Sequence, residues 1–142
     1  MASSSTRATS EARATPLADK LGYKAGQQVL LVDAPADYAR FVAPLPAAVQ
    51  FKARAGATID MAHVFASERD VLARRLAALR KALRPDATVW VSWPKKAAKV
   101  PTTLTEDVVR ELALPLGFVD VKVCAVTEVW SGLKLVVRTA LR

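Results

Sequence analysis

Short apolar runs alternate with helix-like segments along this sequence, and that alternation restricts the fold more than any other feature. The clearest runs are Gln28–Val32, Ile59–Phe65 and Ala87–Trp93. Runs that are apolar at nearly every position are typical of strands buried on both faces, in the interior of a parallel sheet. The segment Glu68–Leu83 is instead helical, with one apolar stripe formed by Leu72, Leu76, Leu79 and Leu83. We therefore expect a mainly parallel sheet with helices on its faces.

The remaining segments complete a β-α-β-β-α-β-α-β-β order. Helices are predicted over Pro16–Leu21, Ala36–Val42 and Thr103–Leu114, and further strands over Val49–Lys52, Phe118–Val126 and Leu133–Ala140. Ser67 with Asp70 matches the capping-box spacing, and so does Thr103 with Glu106, so each pair is predicted to begin a helix. The segment 130–132 is predicted to lie in the connection of a final hairpin. The order predicts a three-layer Rossmann-like α/β fold, a mainly parallel sheet with its first strand central and a C-terminal antiparallel β-hairpin.

Length and composition indicate one small globular domain. The 142 residues are 52% hydrophobic and 24% charged, which favours a folded chain. Residues 1–14, rich in Ala, Ser and Arg, lack apolar periodicity and are predicted to form a disordered, dispensable tail, so the domain is expected at residues 15–142. The sequence has one cysteine, no apolar run of membrane-spanning length and no secretory signal pattern. The expected location is therefore the cytoplasm.

Four stretches carry a resemblance to a known family. They are Pro16–Gly22 (PLADKLG), Trp90–Lys96 (WVSWPKK), Val109–Gly117 (VRELALPLG) and Trp130–Arg138 (WSGLKLVVR). They resemble a family of small uncharacterised bacterial proteins, domain-of-unknown-function family three thousand and fifty-two, over nearly the whole chain from Thr15 onward. Because that family has no assigned activity, the resemblance implies membership and no function.

The overall layout also resembles a truncated Rossmann-like methyltransferase that uses S-adenosylmethionine. Lys24–Val32 resembles the first strand of that fold and Leu116–Val121 the entry to its terminal hairpin, while one strand and its two flanking helices are missing. The resemblance implies a cofactor site after the first strand, where glycines let the ligand approach the backbone. Here that position reads Val32-Asp33-Ala34-Pro35-Ala36-Asp37, without a glycine. Weak or no S-adenosylmethionine binding is therefore expected, and the cofactor stays unknown.

Other catalytic and metal-binding patterns are absent from the sequence. It contains no Gly-x-x-x-x-Gly-Lys-Ser/Thr phosphate loop and no Gly-x-Ser-x-Gly nucleophile elbow. His63 and Cys124 each stand alone, whereas the ligands of a metal site are clustered. His63 lies in an apolar strand and is predicted to be a packed structural residue, and Cys124 is predicted to be an inert core thiol. No catalytic or metal-binding residue is therefore assigned.

Candidate binding residues follow the predicted strands at one edge of the sheet, where open α/β sheets bind their ligands. They are Asp33, Ser92, Trp93, Lys95, Lys96, Trp130 and Ser131. Two indoles beside ammonium groups can stack a flat ring and pair its phosphate or carboxylate. We therefore predict a site for an anionic small molecule, with both indoles facing one groove. The competing interpretation is core packing by the tryptophans beside a solvated lysine loop.

These residues favour a non-catalytic binding or regulatory protein that contacts an anionic small molecule or a partner protein. One alternative is a reduced methyltransferase-like enzyme, which a ribose-binding role of Asp33 would favour. The other is a basic nucleic-acid-binding module, because the formal net charge is +8. A flat, lysine-covered sheet face would favour that second alternative. No membrane partner is expected, and the sequence leaves open whether the chain is an enzyme.

Overall fold

Six strands form one sheet in the computed structural model, which describes residues 15–142. The strands are β1 (Gln28–Val32), β2 (Gln50–Lys52), β3 (Met61–Phe65), β4 (Thr88–Pro94), β5 (Phe118–Ala125) and β6 (Trp130–Val137). Their order across the sheet is β2-β1-β3-β4-β6-β5. The prediction that the first strand is central is wrong, because only the short β2 lies outside β1. The pairings among β1 to β4 are parallel, and β6 pairs antiparallel with both β4 and β5. The predicted mainly parallel sheet with a C-terminal antiparallel hairpin is therefore confirmed, and the predicted tail at residues 1–14 lies outside the described residues.

Within residues 15–142, four α-helices accompany the strands. They are α1 (Leu17–Leu21), α2 (Tyr38–Val42), α3 (Arg69–Ala82) and α4 (Glu106–Ala113). The longest, α3, connects β3 to β4, as the four-leucine stripe and the two flanking apolar runs predict. None of the helices in residues 15–142 is long and apolar enough to cross a membrane.

The core has two layers, one on each face of the sheet. On the first, here called the α3–α4 face, the buried side chains Leu72, Leu76 and Val109 pack against the sheet. On the second, called the α1–α2 face, Leu21 and Tyr38 do so. Alternating residues of a strand supply the two layers, because successive side chains point to opposite sides of a sheet. The three-layer arrangement is thus built from the periodicities of the sequence.

Both predicted capping boxes are wrong. Glu68, not Ser67, stands at the N-cap of α3, and no side chain caps that position. The hydroxyl of Thr103 instead accepts a hydrogen bond of 2.7 Å from the Arg69 backbone N–H, and Thr105 caps α4 by accepting from the Val108 N–H. The carbonyl of Ser67 accepts from the Thr103 N–H at 2.9 Å. The loop before α4 is therefore fixed to the start of α3 by tertiary hydrogen bonds that local spacing does not encode.

The last strand begins earlier and ends earlier than the sequence predicts. It spans Trp130–Val137 rather than Leu133–Ala140, and residues 139–141 form a 3-10 turn. The physical reason is the antiparallel partner, because β6 stays paired with β4 as far as Trp130 opposite Pro94. Gly132 is thus a strand residue, and a Cβ there would lie 3.3 Å from Cε3 of Trp90 and 2.9 Å from Cγ2 of Val126. Glycine lets β6 lie flat against that indole.

Candidate functional site

The carboxyl ends of β1, β3 and β4 meet at one edge of the sheet. The chain turns outward from β1 to β2 and then returns to β3 on the other side of β1, so the point between β1 and β3 is the topological switch point at which such sheets bind ligands. A crevice of about 280 Å³ lies there, lined in part by Asp33, Phe65, Ser67, Glu68 and Trp130. The predicted edge of the sheet is therefore the edge that carries the clefts.

The two tryptophans of the predicted site do not share a groove. Trp93 is opposite Ser131 in the sheet, belongs to the core of the α3–α4 face and is 6% exposed. Trp130 is opposite Pro94 and packs on the α1–α2 face, where its ring centroid lies 5.0 Å from that of Phe65. Residues opposite one another across strands point to the same side of a sheet, and their sequence neighbours point to the other. The one-residue register offset therefore separates the indoles, and the prediction of a common groove is wrong.

The remaining rim residues divide between two clefts. On the α3–α4 face, one cavity of about 340 Å³ is lined by Trp93, Pro94, Lys95, Lys96, Thr102, Leu104, Thr105, Glu106 and Ser131; we call it the lysine groove. Asp33 and Trp130 instead line the switch-point crevice, at the carboxyl ends of β1 and β3. Four predicted residues, Trp93, Lys95, Lys96 and Ser131, are thus brought together.

The backbone of the lysine groove is held on two sides. The Lys95 N–H donates to the Val129 carbonyl at 2.8 Å, which ties the loop after β4 to the hairpin connection. The Thr102 hydroxyl donates to the Ser67 carbonyl at 2.6 Å. The Glu106 carboxylate in the groove pairs with Arg110 at 2.5 Å. No ion pair involves the Lys95 or Lys96 ammonium group among residues 15–142. The groove therefore presents two positive charges without an ion-pair partner, next to the largely buried Trp93.

Ser92 lies in neither cleft. It is fully buried and belongs to a chain of four polar side chains across the α1–α2 core. The hydroxyl oxygens of Tyr23 and Tyr38 are 2.7 Å apart, Tyr38 Oη is 2.9 Å from His63 Nδ1, and His63 Nε2 is 2.7 Å from Ser92 Oγ. The sequence prediction that His63 is a packed structural residue is confirmed, whereas the chain of hydrogen bonds was not predicted. The feature of the sequence that could have indicated it is the presence of two polar residues, His63 and Ser92, inside strands that are otherwise apolar.

Burial shifts the pKa values of the titratable groups in this hydrogen-bonded series of side chains. It lowers the pKa of His63 to about 3, so the imidazole is neutral at neutral pH. Burial also raises the pKa of Tyr23 to about 12, although the hydrogen bond to Tyr38 acts in the opposite direction. The pKa of Tyr38 is raised by burial and, to a smaller extent, by Tyr23. A neutral imidazole has one donor and one acceptor nitrogen, which matches its two hydroxyl neighbours.

The prediction that Cys124 is a core thiol is wrong. It is half-buried, on the edge strand β5, and packs beside the α1–α2 core. Burial raises the pKa of the Cys124 thiol, and the ammonium groups of Lys122 and Lys20 oppose that rise. An edge strand has a neighbour on one side only, so an apolar sequence context at this position does not give full burial.

Comparison with known proteins identifies the fold. A proposed type 11 methyltransferase from Sulfolobus solfataricus superimposes with a TM-score of 0.57 at 13% identity, over 80% of this chain and 85% of that one. The fibrillarin pre-rRNA processing protein of Methanococcus jannaschii gives 0.55 at 10% identity, over 88% and 70%. The ribosomal protein L11 methylase of Lactobacillus delbrueckii subsp. bulgaricus gives 0.54 at 12% identity, over 85% and 74%. This chain has a methyltransferase-like Rossmann fold. No protein-family model and no curated protein matches it, so the resemblance to the family of unknown function stays a prediction.

The residues after β1 do not fit S-adenosylmethionine. Asp33 takes a left-handed backbone conformation with φ 57°, a region that glycine adopts far more readily. Its carboxylate pairs with Arg75 of α3 at 3.0 Å, with both side chains about half exposed, and Pro35 offers no N–H to a ligand. Rossmann folds that bind nucleotides place an acidic residue about 20 residues further on, where this chain has Lys52, Ala53 and Arg54. The turn therefore carries the protein's own ion pair, beside a cavity of about 320 Å³ that Asp33, Ala53 and Arg75 line in part.

Proposed function

We propose that this chain is a non-catalytic binding protein on a methyltransferase-like fold, with an anionic small molecule as its ligand. The observation that carries the proposal is the lysine groove, in which Lys95 and Lys96 meet the indole edge of Trp93. The same groove fits a carboxylate side chain of a partner protein. The role is binding rather than methyl transfer because the Asp33–Arg75 pair and Pro35 stand where the cofactor would need open backbone.

The groove suits a flat anion for electrostatic reasons. The two ammonium groups supply charge-assisted hydrogen bonds, which are about twice as strong as neutral ones. The N-terminus of α4, capped by Thr105, lies in the same cavity and adds the positive end of a helix dipole. Glu106 is the acidic side chain that lines the groove, and its pairing with Arg110 directs part of its negative charge away from the lysines. A phosphate or carboxylate would therefore lie at the lysines, with an attached ring against Trp93 and Ser131.

Replacing both lysines should remove ligand binding and leave the fold intact. We expect Lys95→Ala/Lys96→Ala to weaken the binding of the best anion in a thermal-shift panel of nucleotides and acyl-coenzyme A by about 10-fold or more. The melting temperature of the unliganded variant should hardly change, since exposed charges contribute about 0–1 kcal/mol. Lys24→Ala/Lys81→Ala, which removes two exposed lysines outside the groove, is the control and should bind normally. Equal binding by both double variants would refute the proposed site.

The second candidate function, a reduced methyltransferase-like enzyme, is favoured by the fold alone. It requires S-adenosylmethionine to bind at the β1 turn. We expect titration calorimetry to give no saturable heat with this cofactor. A dissociation constant near the micromolar range for the natural chain would overturn the proposal and make the enzyme the better interpretation.

A further inference from the structure

The α1–α2 face is open over the last two strands. Trp90 of β4 is covered, since its indole N–H donates to the Leu21 carbonyl of α1 at 2.8 Å. Lys134 lies opposite Trp90 in the sheet and therefore on the same face, and Lys122 lies opposite Lys134. Lys122 is exposed, and Lys134 and Val136 are partly exposed. We call this open surface the β5–β6 face.

Two lysines directly opposite one another weaken a sheet, because like charges in a cross-strand pair repel. Neither Lys122 nor Lys134 forms an ion pair with a carboxylate among residues 15–142. The acidic residue of β5, Asp120, is opposite Leu135, on the other face, and pairs with Arg110 at 2.8 Å. The chain thus uses its carboxylate elsewhere and leaves this pair uncompensated.

A third ammonium group approaches from α1. Cys124 is opposite Gly132, one cross-strand pair of the same face beyond Lys122 and Lys134. Lys20 is exposed and directly precedes Leu21, whose carbonyl accepts from the Trp90 indole on this side of the sheet. Lysines from a helix and two strands therefore lie on one side of the antiparallel end of the sheet.

We propose that the β5–β6 face binds the phosphate backbone of single-stranded nucleic acid. Phosphates recur along such a strand, so lysines from three different elements can each neutralise one. A flat sheet admits an extended strand more readily than a duplex, whose grooves are read by protruding helices or ribbons. A partner protein would need a packed aromatic or arginine anchor. Of the two indoles on this side of the sheet, Trp90 is buried under α1 and Trp130 packs against Phe65. Base stacking is therefore limited to the partly exposed Trp130, and since both backbone neutralisation and stacking tolerate any base, binding should show little sequence preference.

The sharpest test is a substitution that should raise the stability of the protein and weaken its binding of nucleic acid. We expect Lys122→Glu to raise the melting temperature by about 1–4 °C, since the introduced carboxylate faces Lys134. The same variant should bind a fluorescent oligothymidylate of about 20 nucleotides about 10-fold more weakly at about 50 mM salt, measured by anisotropy. The matched control is Lys81→Glu, the same charge change at an exposed position of α3, which should keep most of the affinity.

A second variant covers the case in which the introduced glutamate disturbs the strand. Lys122→Ala/Lys134→Ala should make the dependence of log affinity on log salt shallower by about 1.4, that is about 0.7 for each of two phosphate contacts. No oligonucleotide binding by the natural chain, unchanged binding by both β5–β6 variants, or equally tight binding of polyglutamate would overturn the proposal. The lysine groove is on the other face of the sheet, so Lys95→Ala/Lys96→Ala should keep its oligonucleotide binding. This variant therefore distinguishes failure of the nucleic-acid proposal from failure of the proposed function.

Discussion

Lowering the pH from about 7.5 to about 4.5 should reduce the free energy of unfolding by about 2–3 kcal/mol through His63 alone. The pKa of His63 is about 3 in the folded chain and about 6.5 when unfolded. Between those values the unfolded chain binds a proton and the folded chain does not. The contribution of His63 to the free energy of unfolding is therefore fully present above about pH 6.5. Below that pH it falls by about 1.4 kcal/mol per pH unit.

The control for this prediction is His63→Gln, which keeps polar atoms between Tyr38 and Ser92 but does not titrate. We expect the variant to be less stable at neutral pH and to lose less stability on acidification. Asp60 and Asp120, whose pKa values are lowered chiefly by hydrogen bonds from the Gln28 backbone and from Arg110, titrate in both proteins and cancel. Urea unfolding at several pH values measures the difference. Parallel pH profiles for the two proteins would show that His63 is not held neutral.

Trp90→Ala should reduce the free energy of unfolding by about 3–5 kcal/mol. The indole is fully buried, and Gly132 packs against its ring. Its removal leaves a cavity and also leaves the Leu21 carbonyl without its 2.8 Å donor, which costs more because that acceptor is buried. The loss should be concentrated at α1, since this hydrogen bond ties the helix to the sheet.

Trp130→Ala is the matched control, because it removes the same side chain from the partly exposed end of β6. We expect a loss of about 1–2 kcal/mol there. Chemical denaturation gives both values, and hydrogen exchange of the α1 amides localises the first. Equal losses at the two positions would mean that Trp90 does not anchor α1.

The β5–β6 face and the lysine groove give the protein two basic surfaces on opposite faces of the sheet. Part of the positive charge behind the formal net charge of +8 is therefore concentrated on these two surfaces. Two basic residues of α3 are engaged within the protein: Arg75 pairs with Asp33, and Arg80 donates to the Leu116 carbonyl. The lysines of these two surfaces, Lys95, Lys96, Lys122 and Lys134, have no ion-pair partner among residues 15–142 and are available to a ligand.

The sequence by itself determined the architecture. Apolar runs at Gln28–Val32 and Ile59–Phe65, and the leucine stripe that follows, are local periodicities, and each specifies an element and its buried face. The glycine-free turn after β1 is likewise a local feature, from which weak or no S-adenosylmethionine binding stays a prediction; the ion pair of Asp33 with Arg75 in that turn was not predicted.

The tertiary structure alone decided which side chains meet. The separation of Trp93 from Trp130 depends on a register offset of one residue between β4 and β6, and a one-residue shift moves a side chain to the other face. The hydrogen-bonded chain through His63 and the Lys122–Lys134 pair join residues from different elements. Such contacts follow from strand order and register, which the periodicity of a single segment does not contain.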